Sequence, residues 1–237
     1  MPSIAVIIPC FNEAARLQQE AFLQWVKNTE DVFLLFVNDG STDETLSILK
    51  VLQQKAGNKI DIIHLEKNKG KGEAVRIGLQ AAVAKSFTYI GYLDADLSTS
   101  TKEFYRLYQT AMEQKADIVF ASRIKKLGSS IKRSAFRHLA GRVIATIIDA
   151  SFNLGCYDTQ CGAKVFTAVI MQKEIELPFY TKWFFDVELF LRIKKNTHNY
   201  SALEIPLTEW HTTKASKINV FSFPLVFKEL IILLRNY

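Results

Sequence analysis

The sequence predicts an α/β fold built on a doubly wound, mostly parallel sheet. Five short apolar runs bounded by polar turns, helix-period segments between them and two capping-box spacings carry this reading. The runs are Ile4 to Ile8, Val32 to Val37, Ile60 to Leu65, Tyr89 to Leu93 and Ile118 to Ala121. Each has the length of a strand and little polar alternation, as expected of strands covered on both faces. Between them, Leu17, Ala21 and Trp25 share a helical face, as do Leu46, Leu49 and Leu52, and Phe104, Leu107, Tyr108 and Ala111. Ser41 with Glu44, and Ser100 with Glu103, have the spacing at which two side chains reciprocally satisfy the open N–H groups of a helix start. After about residue 123 the alternation stops. A long helix from about Arg133 to Phe152 is predicted, then an irregular stretch holding Cys156 and Cys161. A helix over Trp183 to Lys195 follows, and Leu203, Ile205 and Leu207 alternate as on a half-buried strand. The chain closes on a helical segment. No repeat or linker composition interrupts it, so one domain over 1–237 is expected.

Composition narrows the classes. Of 237 residues 49% are hydrophobic and 23% charged, which excludes a disordered chain. Three cysteines without paired spacing argue against a disulfide framework or a structural zinc, and for a reducing compartment. Neither a basic leader nor an apolar stretch of about eighteen residues is present, so no signal peptide or spanning helix is expected. The net charge of +6 is concentrated. Between Ile118 and Ile148 there is no Asp or Glu, but there are Arg123, Lys125, Lys126, Lys132, Arg133, Arg137 and Arg142. Such a block suits phosphates or an anionic membrane surface. Nucleic acid is not expected as a partner, because the block has no recognised binding motif and little aromatic interleaving.

Open parallel sheets bind ligands just beyond the carboxyl ends of their strands. Those positions hold Pro9-Cys10-Phe11-Asn12-Glu13, Asn38-Asp39-Gly40-Ser41-Thr42-Asp43, Asn68-Lys69-Gly70-Lys71-Gly72 and Asp94-Ala95-Asp96. Neither a G-x-G-x-x-G turn nor a P-loop is among them. Asp94 and Asp96 are the sharpest feature: in an extended segment residues i and i+2 point the same way, and paired carboxylates suit Mg²⁺ or Mn²⁺. Asp39 can accept hydrogen bonds from a nucleoside or shape its turn. Cys10, Phe11 and Tyr92 read as packing residues, His64 and His198 as structural or exposed, and His211 as a candidate at a site edge.

These motifs together resemble family 2 glycosyltransferases of the GT-A fold. Ser122-Arg123, Arg133-Ser134-x-x-Arg137, Gly141-Arg142, Asp158-Thr159-Gln160-Cys161-Gly162, Trp183-x-Phe185-Asp186-Val187-Glu188 and Ser216-Lys217 are similar to the branch that glucosylates dolichyl and other polyprenyl phosphates. The resemblance implies an inverting, metal-dependent hexosyltransferase with UDP-glucose as donor, a polyprenyl phosphate as acceptor and Mg²⁺ or Mn²⁺ as cofactor. Pro9, Phe11, Glu13, Asp39, Gly70, Lys71, Asp94, Ala95 and Asp96 would bind the donor, with Asp94 and Asp96 on the metal. Arg123, Arg133, Arg137 and Gln160 would meet the acceptor phosphate. Residues 1–122 would form the donor half, and 123–237 the acceptor half with the C-terminal helix.

Four positions depart from the pattern: Asn38 for Asp, Phe11 for Tyr, Ser98 for a third metal ligand of mannosyl-transferring relatives, and Ala215 for Gly. A hydroxyl acceptor would need a base, for which Asp158, Asp186 and Glu188 are candidates beside Asp96. A phosphate monoester is already largely anionic at neutral pH and needs cations more than a base. The competing readings are a family 2 transferase acting on a polysaccharide or other hydroxyl, and a nucleotidyltransferase. A lipid acceptor implies a cytoplasmic chain held peripherally on the membrane, through Lys125, Lys126, Lys132 and the apolar end from Phe221 to Leu234.

Overall fold

The computed structural model describes residues 3–132, 135–211 and 223–237; the side chains of 132, 135–138, 140, 223 and 224 fall outside that description. Five strands lie where the apolar runs place them: β1 (Ile4–Cys10), β2 (Val32–Asp39), β3 (Ile60–Leu65), β4 (Tyr89–Leu93) and β5 (Ile118–Ser122). Between them run α1 (Gln19–Asn28), α2 (Thr45–Ala56), α3 (Lys71–Ala84) and α4 (Thr101–Gln114). The second half adds β6 (Ser130–Lys132), α5 (Ala135–Phe152), β7 (Ala163–Thr167), the short α6 (Ala168–Met171), α7 (Phe185–Asn196), β8 (Ala202–Pro206), β9 (Glu209–His211) and α8 (Phe223–Asn236).

The main sheet has the order β3-β2-β1-β4-β7-β5-β8. All its pairings are parallel except those of β7, which runs antiparallel between β4 and β5. The sequence reading missed β7, because its five residues include a lysine and follow an irregular loop. A two-stranded ribbon, β6 with β9, was missed for its brevity. Along β1 the side chains alternate between two cores. Ile4, Val6 and Ile8 pack with residues of α1, α2 and α4. Ala5 and Ile7 pack with Ala74, Val75 and Leu79 of α3 and Leu189 of α7. Burial on both faces explains why the parallel strands read as unbroken apolar runs. A third cluster joins Ile144 and Ile148 of α5, Val187 and Leu191 of α7, and Val226, Leu230 and Leu233 of α8.

The two capping boxes come out differently. Ser100 Oγ accepts from Glu103 N at 3.3 Å, but the Glu103 carboxylate turns to Arg106 at 2.7 Å and to the Thr208 hydroxyl at 2.5 Å. Ser41 caps nothing: its Oγ accepts from Asn12 N at 3.0 Å, while Asp43 Oδ1 accepts from Thr45 N at the start of α2. A bond across two loops therefore displaces the expected local one. The long helix predicted from Arg133 is α5, with Arg133 itself outside the described residues, as are Ala215, Ser216 and Lys217.

Candidate active site

A cavity of about 520 Å³ opens at the carboxyl edge of β1, β2 and β4. Its lining includes every donor residue expected from sequence: Pro9, Phe11, Glu13, Asp39, Gly70, Lys71, Asp94, Ala95 and Asp96. Two loop stitches build its floor. The loop after β1 is tied to the loop after β2 through Asn12 N to Ser41 Oγ, Glu13 N to Thr45 Oγ1 at 2.8 Å, and Ala14 N to Asp43 Oδ2 at 3.1 Å. Asp39, buried at the end of β2, accepts from Lys69 N at 2.7 Å and Gly70 N at 2.9 Å. The carboxylate thereby fixes the entry to α3, where Gly70 takes a φ of +96° that disfavours any other residue.

The acid pair sits differently from the extended arrangement expected. Residues Asp94 to Leu97 form a turn, closed by Leu97 N to Asp94 O at 3.1 Å, with Leu97 at φ +51°. The strand ends at Leu93, and the antiparallel neighbour β7 follows a loop whose Gly162 O accepts from Asp94 N at 3.1 Å. Any Cβ at Gly162 would overlap the Asp94 carboxylate. Both carboxylates still line the one cavity. Asp96 Oδ1 accepts from Ser98 N at 2.9 Å and Ser98 Oγ at 2.8 Å, so Ser98 braces the second acid. Asp94 Oδ1 lies 2.5 Å from Lys71 Nζ.

Like charges crowd this edge. Burial, together with the charges of Asp96 and Asp94, raises the Glu13 carboxyl above its ordinary range, although Arg16 pairs with it at 2.6 Å and opposes the shift. Glu13 Oε2 is buried with no hydrogen-bond partner. Burial works against the Lys71 charge, but Asp94, Asp186 and Asp96 outweigh it and raise its pKa. Among the described residues no three Asp, Glu, His or Cys side chains gather closely enough to hold a metal alone. Mg²⁺ and Mn²⁺ sites often use one or two carboxylates, the remaining ligands being substrate phosphates and water. Asp94 and Asp96 fit that pattern, and the orphaned Glu13 oxygen marks an excess of negative charge beside them.

The second half is arranged otherwise. Arg123 grips Asp158 with Nε to Oδ2 and Nη2 to Oδ1, both at 2.7 Å. Asp186 lies buried, accepting from Lys164 Nζ at 2.6 Å and from the Tyr92 hydroxyl. Glu188, fully buried, accepts from Tyr180 N, Thr181 N and Arg192 at 2.7–3.0 Å. All three of these carboxylates are thus engaged by ion pairs or hydrogen bonds within the fold. Arg123 and Gln160 line a second, small cavity with Arg142, whose guanidinium stacks 3.8 Å over the Tyr157 ring. Arg133 lies outside the described residues and the Arg137 side chain outside the description. His211 is exposed on β9, and its N–H to Ser98 O at 3.2 Å sets that ribbon against the acid-bearing turn.

Sequence reasoning overlooked Arg16 and Lys164. Arg16 resembles any helix-flanking cation, and nothing in its spacing marks it as part of the cavity lining. Lys164 is fully buried, donating to Cys161 O and Asp186 at 2.6 Å each, and a lysine within an apolar strand was the available signal.

A doubly wound sheet with an acid-rimmed cavity at its carboxyl edge, crossed by one antiparallel strand, defines a GT-A glycosyltransferase. The chain belongs to glycosyl transferase family 2, whose family model matches residues 5–172. It is 28% identical over 250 residues to a dolichyl-phosphate beta-glucosyltransferase of Dictyostelium discoideum, covering 98% of this chain and 73% of that one. It is 30% identical over 237 residues to the Drosophila melanogaster protein of the same name, covering 92% and 70%. Among solved structures it is similar to glucosyl-3-phosphoglycerate synthase from Mycobacterium tuberculosis in complex with Mn²⁺, UDP and glucosyl-3-phosphoglycerate. That match has a TM-score of 0.69 at 17% identity, covering 97% of this chain and 77% of the other, and bears on the fold alone.

Proposed function

We propose that this enzyme transfers glucose from UDP-glucose to a polyprenyl phosphate, with inversion at the anomeric carbon and with Mg²⁺ or Mn²⁺ bound at Asp94 and Asp96. The observation that carries the choice of acceptor is the engagement of Asp158, Asp186 and Glu188, the candidate bases other than the metal-site Asp96. Asp158 is held by Arg123, Asp186 by Lys164 and Tyr92, and Glu188 by two backbone N–H groups and Arg192. A sugar hydroxyl would need a base to take its proton. A phosphate monoester, with a second pKa of about 6, attacks without one. The relatives' printed names support the same acceptor class and the transferred sugar. A hydroxyl acceptor is disfavoured on the same ground, and family membership disfavours nucleotidyl transfer.

In this reading residues 1–122 hold the donor and 123–237 present the acceptor. An acceptor phosphate oxygen forms a bond to the anomeric carbon from the face opposite UDP. The bond from that carbon to the β-phosphate oxygen breaks, and its electron pair stays on UDP. Bound at the acid pair, the divalent cation would supply Lewis-acid stabilisation of the departing diphosphate. Lys71, at the start of α3 and facing the cavity, adds a positive charge to the same region. Asp39 and Gly70 would shape the nucleoside end, while Arg142 and Gln160, with Arg123 held by Asp158, would meet the acceptor phosphate. A lipid acceptor places the enzyme on the cytoplasmic face of a membrane as a peripheral protein; no helix among the described residues is long and apolar enough to cross one.

The test is a screen of sugar nucleotides with a short-chain polyprenyl phosphate and Mn²⁺ or Mg²⁺, following lipid-linked sugar. UDP-glucose is expected to give product, and Asp96→Ala to lower turnover by about 10²-fold or more at unchanged Tm. Equal turnover in that variant, or sugar transfer only to free hydroxyl acceptors, would overturn the reading.

A further inference from the structure

The loop between α5 and β7 belongs to no helix or strand, so the side chains that reach it set its shape. Its residues Tyr157 to Gln160 line the small cavity shared with Arg123 and Arg142. Its far end, Cys161-Gly162, backs the acid pair. There Lys164 Nζ donates to Cys161 O at 2.6 Å, and Asp94 N donates to Gly162 O at 3.1 Å. The near end has a different anchor. Glu204 of β8 accepts from Tyr157 N through Oε2 and from Asp158 N through Oε1, both at 2.8 Å.

Glu204 stands where its strand alone gives no reason for an acid. Leu203 and Ile205, on either side of it, pack on the cluster of α1, α2 and α4, so its side chain projects from the opposite face of the sheet. Burial is the main influence raising its carboxyl above the ordinary range, and the charge of Asp158 adds to it; the Tyr157 and Asp158 N–H groups oppose the rise. The two donors are consecutive, so holding both fixes two successive peptide planes. Those planes carry the cations of the cavity. Tyr157 O accepts from Arg142 Nη1 at 2.8 Å, with the same guanidinium over the Tyr157 ring. Asp158 clasps Arg123 through both carboxylate oxygens. Both arginines that line the cavity therefore rest on the two residues that Glu204 holds.

We infer that Glu204 is a positioning residue for the acceptor phosphate: by holding Tyr157 and Asp158 at the backbone, it sets Arg142 and Arg123 around the small cavity. The inference rests on the reading of that cavity as the acceptor end. It gives the acceptor site a component on β8, at the edge of the main sheet and away from the loops that carry the donor residues.

The experiment compares Glu204→Gln with the parent. The amide keeps the size but accepts through one atom only, so one of the two N–H groups loses its partner. Hydrogen–deuterium exchange is expected to quicken at Tyr157 and Asp158 and to stay unchanged in β4 and β7. The KM for farnesyl phosphate should rise by about 10- to 100-fold. The KM for the sugar nucleotide, and the affinity for UDP with Mn²⁺ read by calorimetry, should match the parent, because Lys164 still holds the Cys161-Gly162 end. Should Glu204→Gln fail to fold, Glu204→Asp, which keeps the charge and shortens the reach by one methylene, is read in the same way. A loop that loosens while the acceptor KM stays put, or a donor KM that rises as far as the acceptor KM, would overturn the inference. A parent that binds farnesyl phosphate but transfers no sugar to it would sink the proposed reaction alone. Calorimetric binding of farnesyl phosphate, weaker in the variant, would then uphold the role of Glu204, and equal binding would end it. A parent that does not bind farnesyl phosphate at all would overturn both.

Discussion

The two halves of the molecule use charge in opposite ways. Along the carboxyl edge of β1, β2 and β4, four carboxylates line or brace an open cavity and two of them, Glu13 and Asp94, meet a cation, Arg16 and Lys71. In the half built on β5, β7 and α7, charged side chains find one another: Arg123 with Asp158, Lys164 with Asp186, Arg192 with Glu188. The first arrangement sets four carboxylates, Glu13, Asp39, Asp94 and Asp96, against two cations, Arg16 and Lys71, around one cavity. The second closes its charges on themselves. A charged residue inside a recognisable motif is thus no guide to chemistry until its partner is known.

The largest expected effect in the second half is on stability. Asp186→Asn leaves Lys164 buried without its counter-ion, and breaking such a pair costs about 3–5 kcal/mol. For a chain of this size that corresponds to a fall in Tm of roughly 6–20 °C by calorimetry. In the first half, Asp96→Ala should abolish transfer with little change in Tm. Finding the reverse pattern, a stable Asp186→Asn and a collapsed Asp96→Ala, would erase the distinction between the halves.

This contrast also explains what the sequence disclosed. Parallel strands buried on both faces must be apolar throughout, so β1 to β5 could be placed from the runs alone. The donor cavity was equally legible, because sheet topology brings the ends of those strands together whatever their exact turns. The geometry at Asp94 and Asp96 was less so. Extended-strand alternation placed them side by side, but the chain turns at Leu97, and a long-range partner, Gly162, fixes the first acid. The surroundings of Asp158 and Asp186 depended on partners up to 94 residues away in sequence, which local spacing cannot supply, whereas Glu188 meets Arg192 one helical turn on. β7 escaped for a related reason: its Lys164 looks like a surface residue until Asp186 and Cys161 O are seen beside it.

Lys71 sits between the two regimes and gives an intermediate effect. It pairs with Asp94, yet it lines the donor cavity and is partly exposed. If the pair serves the cavity, Lys71→Met removes a charge-assisted contact to the donor, worth about 1.5–3 kcal/mol. The KM for the sugar nucleotide should then rise by about 10- to 150-fold, with Tm nearly unchanged. A loss of Tm like that of Asp186→Asn, with KM unmoved, would instead group Lys71 with the closed pairs of the second half.

The smallest effect tests the excess of negative charge directly. Burial and the neighbouring Asp96 and Asp94 raise the Glu13 carboxyl, so the folded chain holds that proton more tightly than the unfolded one. The group's contribution to stability is complete below the ordinary glutamate range and is lost as pH rises through the raised value. Glu13→Gln keeps the shape and removes this titration. The Tm of the variant relative to the parent should therefore climb between acid and neutral pH, by a few degrees at most. A difference in Tm that stays flat across that range would mean that Arg16 already neutralises Glu13, and that the cavity edge carries no surplus charge for a cation to answer.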